Sequence, residues 1–259
     1  MPHRVDAAAP GNSVTSRALR VLEAFSAQRR ELTLSEIARF TGLPLTTAHR
    51  LIADLAEWGA LERDEQGHYR IGLRLWEVAA LAPRSVGLRE AALPFLEDLY
   101  EATHENVHLA VRDGDEALYV ERISGRGAVS VVSRVGGRLP LHATGVGLVL
   151  LAYADTEVQE RILGAPLRRF TDRTLTSPAE LRRVLAEVRR TRIGISRGYL
   201  EENALSVAAP VAGPSGTVVA ALSIVVPMSR APGPFLPAVT AAARGVSRAL
   251  GGPTARPGP

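Results

Sequence analysis

The chain has 259 residues, 46% hydrophobic and 22% charged, which gives length for one large or two modest folded domains and excludes wholesale disorder. It contains no cysteine, so a disulfide framework, a thiolate metal site, a catalytic thiol and thiol redox sensing are all excluded. All 31 basic residues are arginine, set against 27 acids, and with nothing of lysine type to titrate, a net charge of only +4 still yields a pI near 10.1; the high pI permits nucleic-acid binding without demonstrating it.

In chain order, residues 1–12 read as a frayed end with no apolar core of signal-peptide type. From Val14, the residues Ala18, Val21, Leu22 and Phe25 follow at helical spacing. Thr33-Leu-Ser-Glu36 is a capping box that opens a short helix over 35–40, which stops at Thr41-Gly42. Pro44 suits the first turn of the next helix, on which Ala48, Leu51, Ile52 and Leu55 form a narrow apolar stripe as far as Gly59. Segments 60–63 and 68–71, joined by Asp64-Glu-Gln-Gly67, predict a hairpin. A helix over 73–82, apolar nearly all round and broken by Pro83, precedes another over 88–104.

Then the texture changes. Runs at 107–111, 117–123 and 129–135 read as strands, 144–153 and 178–192 as helices, 207–211 with 218–225 as a hairpin, and 237–250 as a closing helix. The predicted organisation is a disordered start (1–12), a helical unit with a hairpin (13–73), a linker helix (74–87), a mixed α/β domain (88–250) and a disordered tail (251–259). The apolar runs at 146–154 and 218–226 are half the length a membrane span needs, so a soluble, cytoplasmic protein is expected.

Two helices joined by a glycine turn and followed by a hairpin form a winged helix-turn-helix pattern. With the apolar stripe turned inward, Leu45, Thr46, Thr47, His49 and Arg50 face outward on the N-terminal half of the second helix, the half that enters the major groove in such modules. Threonine can bond phosphates or base edges and arginine can fork onto guanine. Arg63, His68 and Arg70 of the hairpin could reach the flanking backbone or minor groove, and Arg17 a phosphate. Residues 1–75 carry ten arginines against nine acids, so any binding field must come from the arrangement of charge. The same pattern also occurs in modules that bind only protein.

The residues also carry a resemblance. Ser13–Leu22, Leu34-Ser-Glu-Ile-Ala38, Gly42-Leu-Pro44 with Thr47-Ala-His-Arg-Leu51, and Arg70-Ile-Gly-Leu73 resemble the N-terminal domain of IclR-type bacterial transcriptional regulators. Val107–Val111, Tyr119-Val-Glu-Arg122, Gly137–Gly145, Val207–Val211 and Ala221-Leu-Ser-Ile224 are similar to that family's effector domain, and the match runs over about 13–250. The resemblance implies a mixed α+β fold: a winged helix-turn-helix joined by a linker helix to a GAF-like α/β domain that binds a small effector and modulates operator binding, usually as a repressor. It implies an effector pocket of Ala128, Val131, Leu139, Thr144, Gly145, Val146, Ser196, Ala204, Ser206, Ser223 and Val225. A helix starting near Thr144 offers free amides and a positive dipole end to a carboxylate. Packing of helix against sheet would place small residues there equally well.

Where relatives that bind small keto acids tend to have an acid, a cysteine and a serine, this chain has Ser196, Ser206 and Val225; Tyr199 and Asn203 also depart from the pattern. The expectation is an aromatic or branched acid. Leu45 departs too, where the family often has a basic or polar residue. The apolar linker helix predicts a second subunit as its partner, hence a homodimer or dimer of dimers on pseudo-palindromic double-stranded DNA, with recognition helices about 34 Å apart.

Other chemistries fare less well. Gly194-Ile-Ser196-Arg-Gly198 matches a nucleophile elbow, but all six histidines precede the serine, and a helix before it with a loop after it is the wrong context for a serine hydrolase. His104, His108 and His142 could converge on a metal only if the fold brought them together. No Walker, dinucleotide or other cofactor pattern is present, so no cofactor and no metal are expected. A pure interaction module with a vestigial pocket is the remaining alternative.

Overall fold

The computed structural model describes residues 13–26, 28–81, 83–125 and 127–253, with 83–86 described by backbone alone; the predicted frayed start 1–12 and residues 254–259 of the predicted tail 251–259 lie outside the described residues. The chain forms two compact units, residues 1–86 and 87–259.

In the first unit, α1 (Val14–Glu23), α2 (Leu34–Thr41) and α3 (Leu45–Trp58) precede a hairpin of β1 (Leu61–Arg63) and β2 (Tyr69–Ile71), and α4 (Leu73–Ala79) follows it. The local chemistry explains each boundary. Thr33 Oγ1 accepts from the Glu36 amide while a Glu36 oxygen accepts from the Thr33 amide, closing the predicted capping box. Gly42 ends α2 at φ 67°, a left-handed turn that the next helix requires. Pro44 sits one place before α3, as its cap residue. The hairpin turn is held by Asp64 Oδ1, which accepts from the His68 amide at 2.7 Å. Val21, Ile37, Leu51, Ile52 and Leu61 fill the core. α4 has no buried residue.

The second unit is built on one six-stranded antiparallel sheet in the order β5-β4-β3-β8-β7-β6. Its strands are β3 (Asn106–Asp113), β4 (Glu116–Ile123), β5 (Arg138–Pro140), β6 (Gly194–Arg197), β7 (Ala204–Ala212) and β8 (Val218–Pro227). α5 (Pro83–Thr103) and α9 (Leu236–Ala249) pack on one face through Leu96, Leu99, Val239 and Val246, against Val107, Leu109, Leu222 and Ile224. α6 (Gly145–Ala152), α7 (Thr156–Gly164) and α8 (Pro178–Thr191) cover the other through Leu148, Leu151, Leu181 and Leu185. On the α6 face the register aligns small and polar side chains across strands: Ser196 opposite Ser206 opposite Val225, and Gly194 opposite Ala208 opposite Ser223 opposite His108. Small side chains there leave a hollow under the start of α6.

Four sequence expectations need correction. The run 129–135 is a loop, and the strand next in chain is β5, because side chains rather than a ladder hold the run: Asn106 Nδ2 donates to the Val129 carbonyl at 2.7 Å and Arg122 to the Ser133 carbonyl at 2.5 Å. Pro83 starts α5 five residues before the predicted 88, since proline at a first helical position costs no hydrogen bond. α7 was not predicted, because its nine residues carry only Val158, Ile162 and Leu163 as buried apolar positions. Ser196 lies within a strand, β6, where a helix directly before it and a loop after it were expected.

Candidate functional site

On α3, Ala48, Leu51 and Ile52 are buried and Leu55 is partly buried, while Leu45, Thr46, His49 and Arg50 are exposed and Thr47 half-buried. These five form one surface with no acid between positions 45 and 50. The other predicted contacts differ in availability. Arg63 is exposed, with its guanidinium 5.5 Å from the Tyr69 ring centre. His68 is half-buried, 3.5 Å from Asp64. Arg70 is exposed but paired with Glu62 at 2.8 Å, an ion pair that would have to open or share for a phosphate to bind. Arg17 is half-buried, and its Nε is buried without a hydrogen-bond partner among the described residues.

The second unit holds a cavity of about 40 Å³, more than the roughly 10–15 Å³ one buried water needs, at the start of α6. Of the predicted residues, Val131, Leu139, Thr144, Gly145, Ser196, Ala204, Ser206 and Val225 line it. Three do not. Val146 turns into the hydrophobic core, 1% exposed. Ser223 is equally buried, and its Oγ has no hydrogen-bond partner among the described residues. Ala128 bonds to the Gly125 carbonyl three residues short of the lining.

The sequence reading missed His108, Tyr119, Ser133, Ala143, Leu200 and Glu201, and had placed Tyr199 only as a departure. The period-two alternation of β3 was the available signal for His108, which shares a face with Ala110. Glu201, on the turn between β6 and β7, left no periodic trace.

The cap of α6 is built by Thr144, whose Oγ1 accepts from the Gly147 amide at 3.1 Å; the Gly145 and Val146 amides, in the first turn, have no acceptor among the described residues. Ser196 Oγ donates to the Ala143 carbonyl at 3.3 Å. Gly145 is required by packing: a Cβ there would overlap Ser206 Oγ and lie 2.9 Å from Ser206 Cβ. The glycine that admits α6 against β7 also lines the cavity at the helix start.

Electrostatically the cavity holds no arginine. Burial, assisted by Arg122, pushes His108 down to about 3, so it is a neutral imidazole, with Nε2 3.0 Å from Ser133 Oγ. Burial raises the Tyr119 phenol, against a hydrogen bond with Thr144, and keeps it protonated. Burial also raises the half-buried Glu201, opposed by the Val132 amide and by Arg122. Among the described residues no three His, Asp or Glu side chains group as a metal site, and His142 is engaged with the Arg168 carbonyl at 2.9 Å. At Ser196 the strand runs into a turn and then β7, with no helix after it, so the nucleophile-elbow geometry is missing. No helix among the described residues is long and apolar enough to cross a membrane.

A winged helix-turn-helix with an exposed helix surface, together with a separate α/β unit that holds a cavity, is the arrangement of a DNA-binding regulator with a ligand-binding domain. Comparison with known proteins narrows the class. Residues 14–65 match the IclR helix-turn-helix domain and residues 80–250 match the C-terminal domain of bacterial transcriptional regulator IclR. The chain is 34% identical to the HTH-type transcriptional regulator XynR of Escherichia coli, over 92% of this chain and 96% of that one, and 32% identical to the transcriptional repressor IclR of the same organism, over 83% and 80%. A crystal structure of an IclR homologue from Microbacterium hydrocarbonoxydans complexed with 4-hydroxybenzoate matches with a TM-score of 0.89 at 41% identity, covering 92% of this chain and 99% of that one. The chain belongs to the IclR family of transcriptional regulators: it binds DNA through its helix-turn-helix, carries an effector-binding C-terminal domain, and is a regulator and not an enzyme.

Proposed function

We propose that this chain is an operator-binding repressor whose affinity for DNA is set by a single-ring aromatic carboxylate held in the cavity at the start of α6. The observation that carries the ligand class is the cavity itself: tyrosine, leucine and valine walls meet unpartnered amides at a helix start, where a carboxylate is stabilised by hydrogen bonds and by the helix dipole. The 4-hydroxybenzoate complex of the 41% identical homologue supports the same class, and the repressor named among the relatives supports the sign. Thr46, Thr47, His49 and Arg50 read base edges, with Leu45 against thymine methyls, while Arg17, Arg63, His68 and Arg70 hold the flanking backbone.

The functional unit is a homodimer. Leu73 and Trp76 of α4 are each 71% exposed, an apolar surface that a monomer would leave in water and a second copy of the helix would cover. Two-fold symmetry then presents recognition helices to half-sites one turn apart, about 34 Å, on a pseudo-palindromic operator.

Calorimetry of the full-length protein with 4-hydroxybenzoate and with pyruvate tests the ligand class. Saturable binding of the aromatic acid is expected; tight pyruvate binding with none for aromatic acids would overturn it.

A further inference from the structure

A cavity proposed to take a carboxylate contains a carboxylate of its own and no cation. Glu201 is the one acid among the lining residues and no arginine lines the cavity; Arg122, outside the lining, offsets its charge only in part, since burial still holds its carboxyl above the usual range. It sits half-buried on the turn that joins β6 to β7. Its Oε1 accepts from the Val132 amide at 3.2 Å, which ties the loop over 129–135 to this turn. Its Oε2 has no hydrogen-bond partner among the described residues, so one acceptor of a half-buried carboxylate is left free on a residue that lines the cavity together with Tyr199, Val131 and Leu139.

Two anions cannot share that end of the site. Like charges at contact distance repel strongly where water is excluded. A bound carboxylate is therefore driven to the opposite feature, the first turn of α6, and the group that meets Glu201 has to be a donor. A neutral hydroxyl suits it, since an O–H donating to a carboxylate makes one of the stronger hydrogen bonds available in proteins.

We propose that Glu201 selects the effector: its Oε2 accepts a hydrogen bond from a hydroxyl on the ring end remote from the acid, so the ligand is a hydroxylated aromatic monocarboxylate and not an unsubstituted acid or a dicarboxylate. This rests on the aromatic-acid reading of the cavity. It adds a named discriminator and the sign of its preference. The same residue holds the Val129–Val135 loop through Oε1, so occupation of Oε2 is communicated directly to a loop that lines the cavity through Val131 and Ser133.

The test is calorimetry of the full-length protein, wild type and Glu201→Gln, against 4-hydroxybenzoate, 4-fluorobenzoate and terephthalate. Fluorine keeps the size of the hydroxyl without its donor. The glutamine keeps an oxygen for the Val132 amide and turns the free acceptor into a donor. The wild type is expected to prefer 4-hydroxybenzoate over 4-fluorobenzoate by about tenfold or more, the scale of a hydrogen bond to a charged group, and to reject terephthalate. In Glu201→Gln that preference should shrink to within about threefold and terephthalate binding should appear, since the second carboxylate then meets an amide donor. Equal wild-type affinity for the hydroxy and fluoro acids, or an unchanged preference in the variant, overturns the role of Glu201 while leaving the aromatic-acid reading standing. Absence of binding by any of the three overturns the aromatic-acid reading itself and this inference with it. Should the variant not fold, the wild-type ratio alone decides.

Discussion

Individual side chains carry most of the testable chemistry. Arg50, exposed on the acid-free half of α3, is proposed to contact a base edge; Arg50→Ala should weaken operator binding by about 1–3 kcal/mol, read by mobility shift, and an unchanged affinity would remove it from the readout. Gly145→Ala should cost stability by about 1–3 kcal/mol because its methyl would overlap Ser206, and Ser206→Gly in the same chain should recover much of that in urea denaturation. His108 gives stability a pH dependence. The unfolded imidazole takes a proton below about pH 6.5, whereas burial holds the folded one neutral down to about 3. The unfolded state then binds the extra proton between those values, so stability falls as pH falls through that window, by up to about 1.4 kcal/mol per pH unit, and the effect vanishes above it. His142, also lowered by burial, acts in the same direction in any variant that retains it. Urea denaturation at pH 7, 6, 5 and 4 should show a shallower loss in His108→Gln than in wild type; parallel curves would contradict the assignment. Residues of the cavity were legible where they fall in one contiguous motif, as Leu139, Thr144 and Gly145 do, or on small-residue strand positions such as Ser206. His108, Tyr119 and Glu201 were not, because which strand face or turn meets α6 depends on sheet order, which a single sequence does not display.

At the scale of elements, α1, α2 and α3 were read to within a residue or two because their boundaries are written in local chemistry: the Thr33–Glu36 box, the left-handed Gly42, Gly59 after α3; α4, with no such signal at its end, stops at Ala79, three residues short of the predicted 82. The run 129–135 misled for the complementary reason. Its valines have strand propensity, yet Val132 and Val135 stand 59% and 55% exposed, and Asn106, Arg122 and Glu201, all distant in sequence, hold its backbone. α4 is the element whose role can be isolated. Replacing Leu73 and Trp76 together by glutamate leaves the buried cores untouched, since neither residue belongs to one. Sedimentation of the double variant should show a monomer where the wild type is a dimer, and operator affinity should drop at least about tenfold with the loss of the second half-site. A variant that remains dimeric would place the interface elsewhere.

For the whole molecule, net charge does little: +4 over the chain, and ten arginines against nine acids in its first 75 residues. Binding has to come from placed contacts, and the phosphate-facing arginines should show as a steep salt dependence even though the overall field is weak. On the function proposed, regulation is a coupling free energy between the α6 cavity and the α3 surface, expected at about 1–3 kcal/mol, a change of roughly 5- to 150-fold in operator affinity, and reciprocal in the affinity for effector. The most direct measurement is a mobility shift of the DNA upstream of the protein's own gene, titrated with 4-hydroxybenzoate at several salt concentrations. The account predicts a sharp shift that resists nonspecific competitor, weakens with salt, and moves at least about fivefold in midpoint on saturation with the acid. A competitor-resistant complex whose midpoint is unmoved by an acid shown to bind the cavity would contradict it.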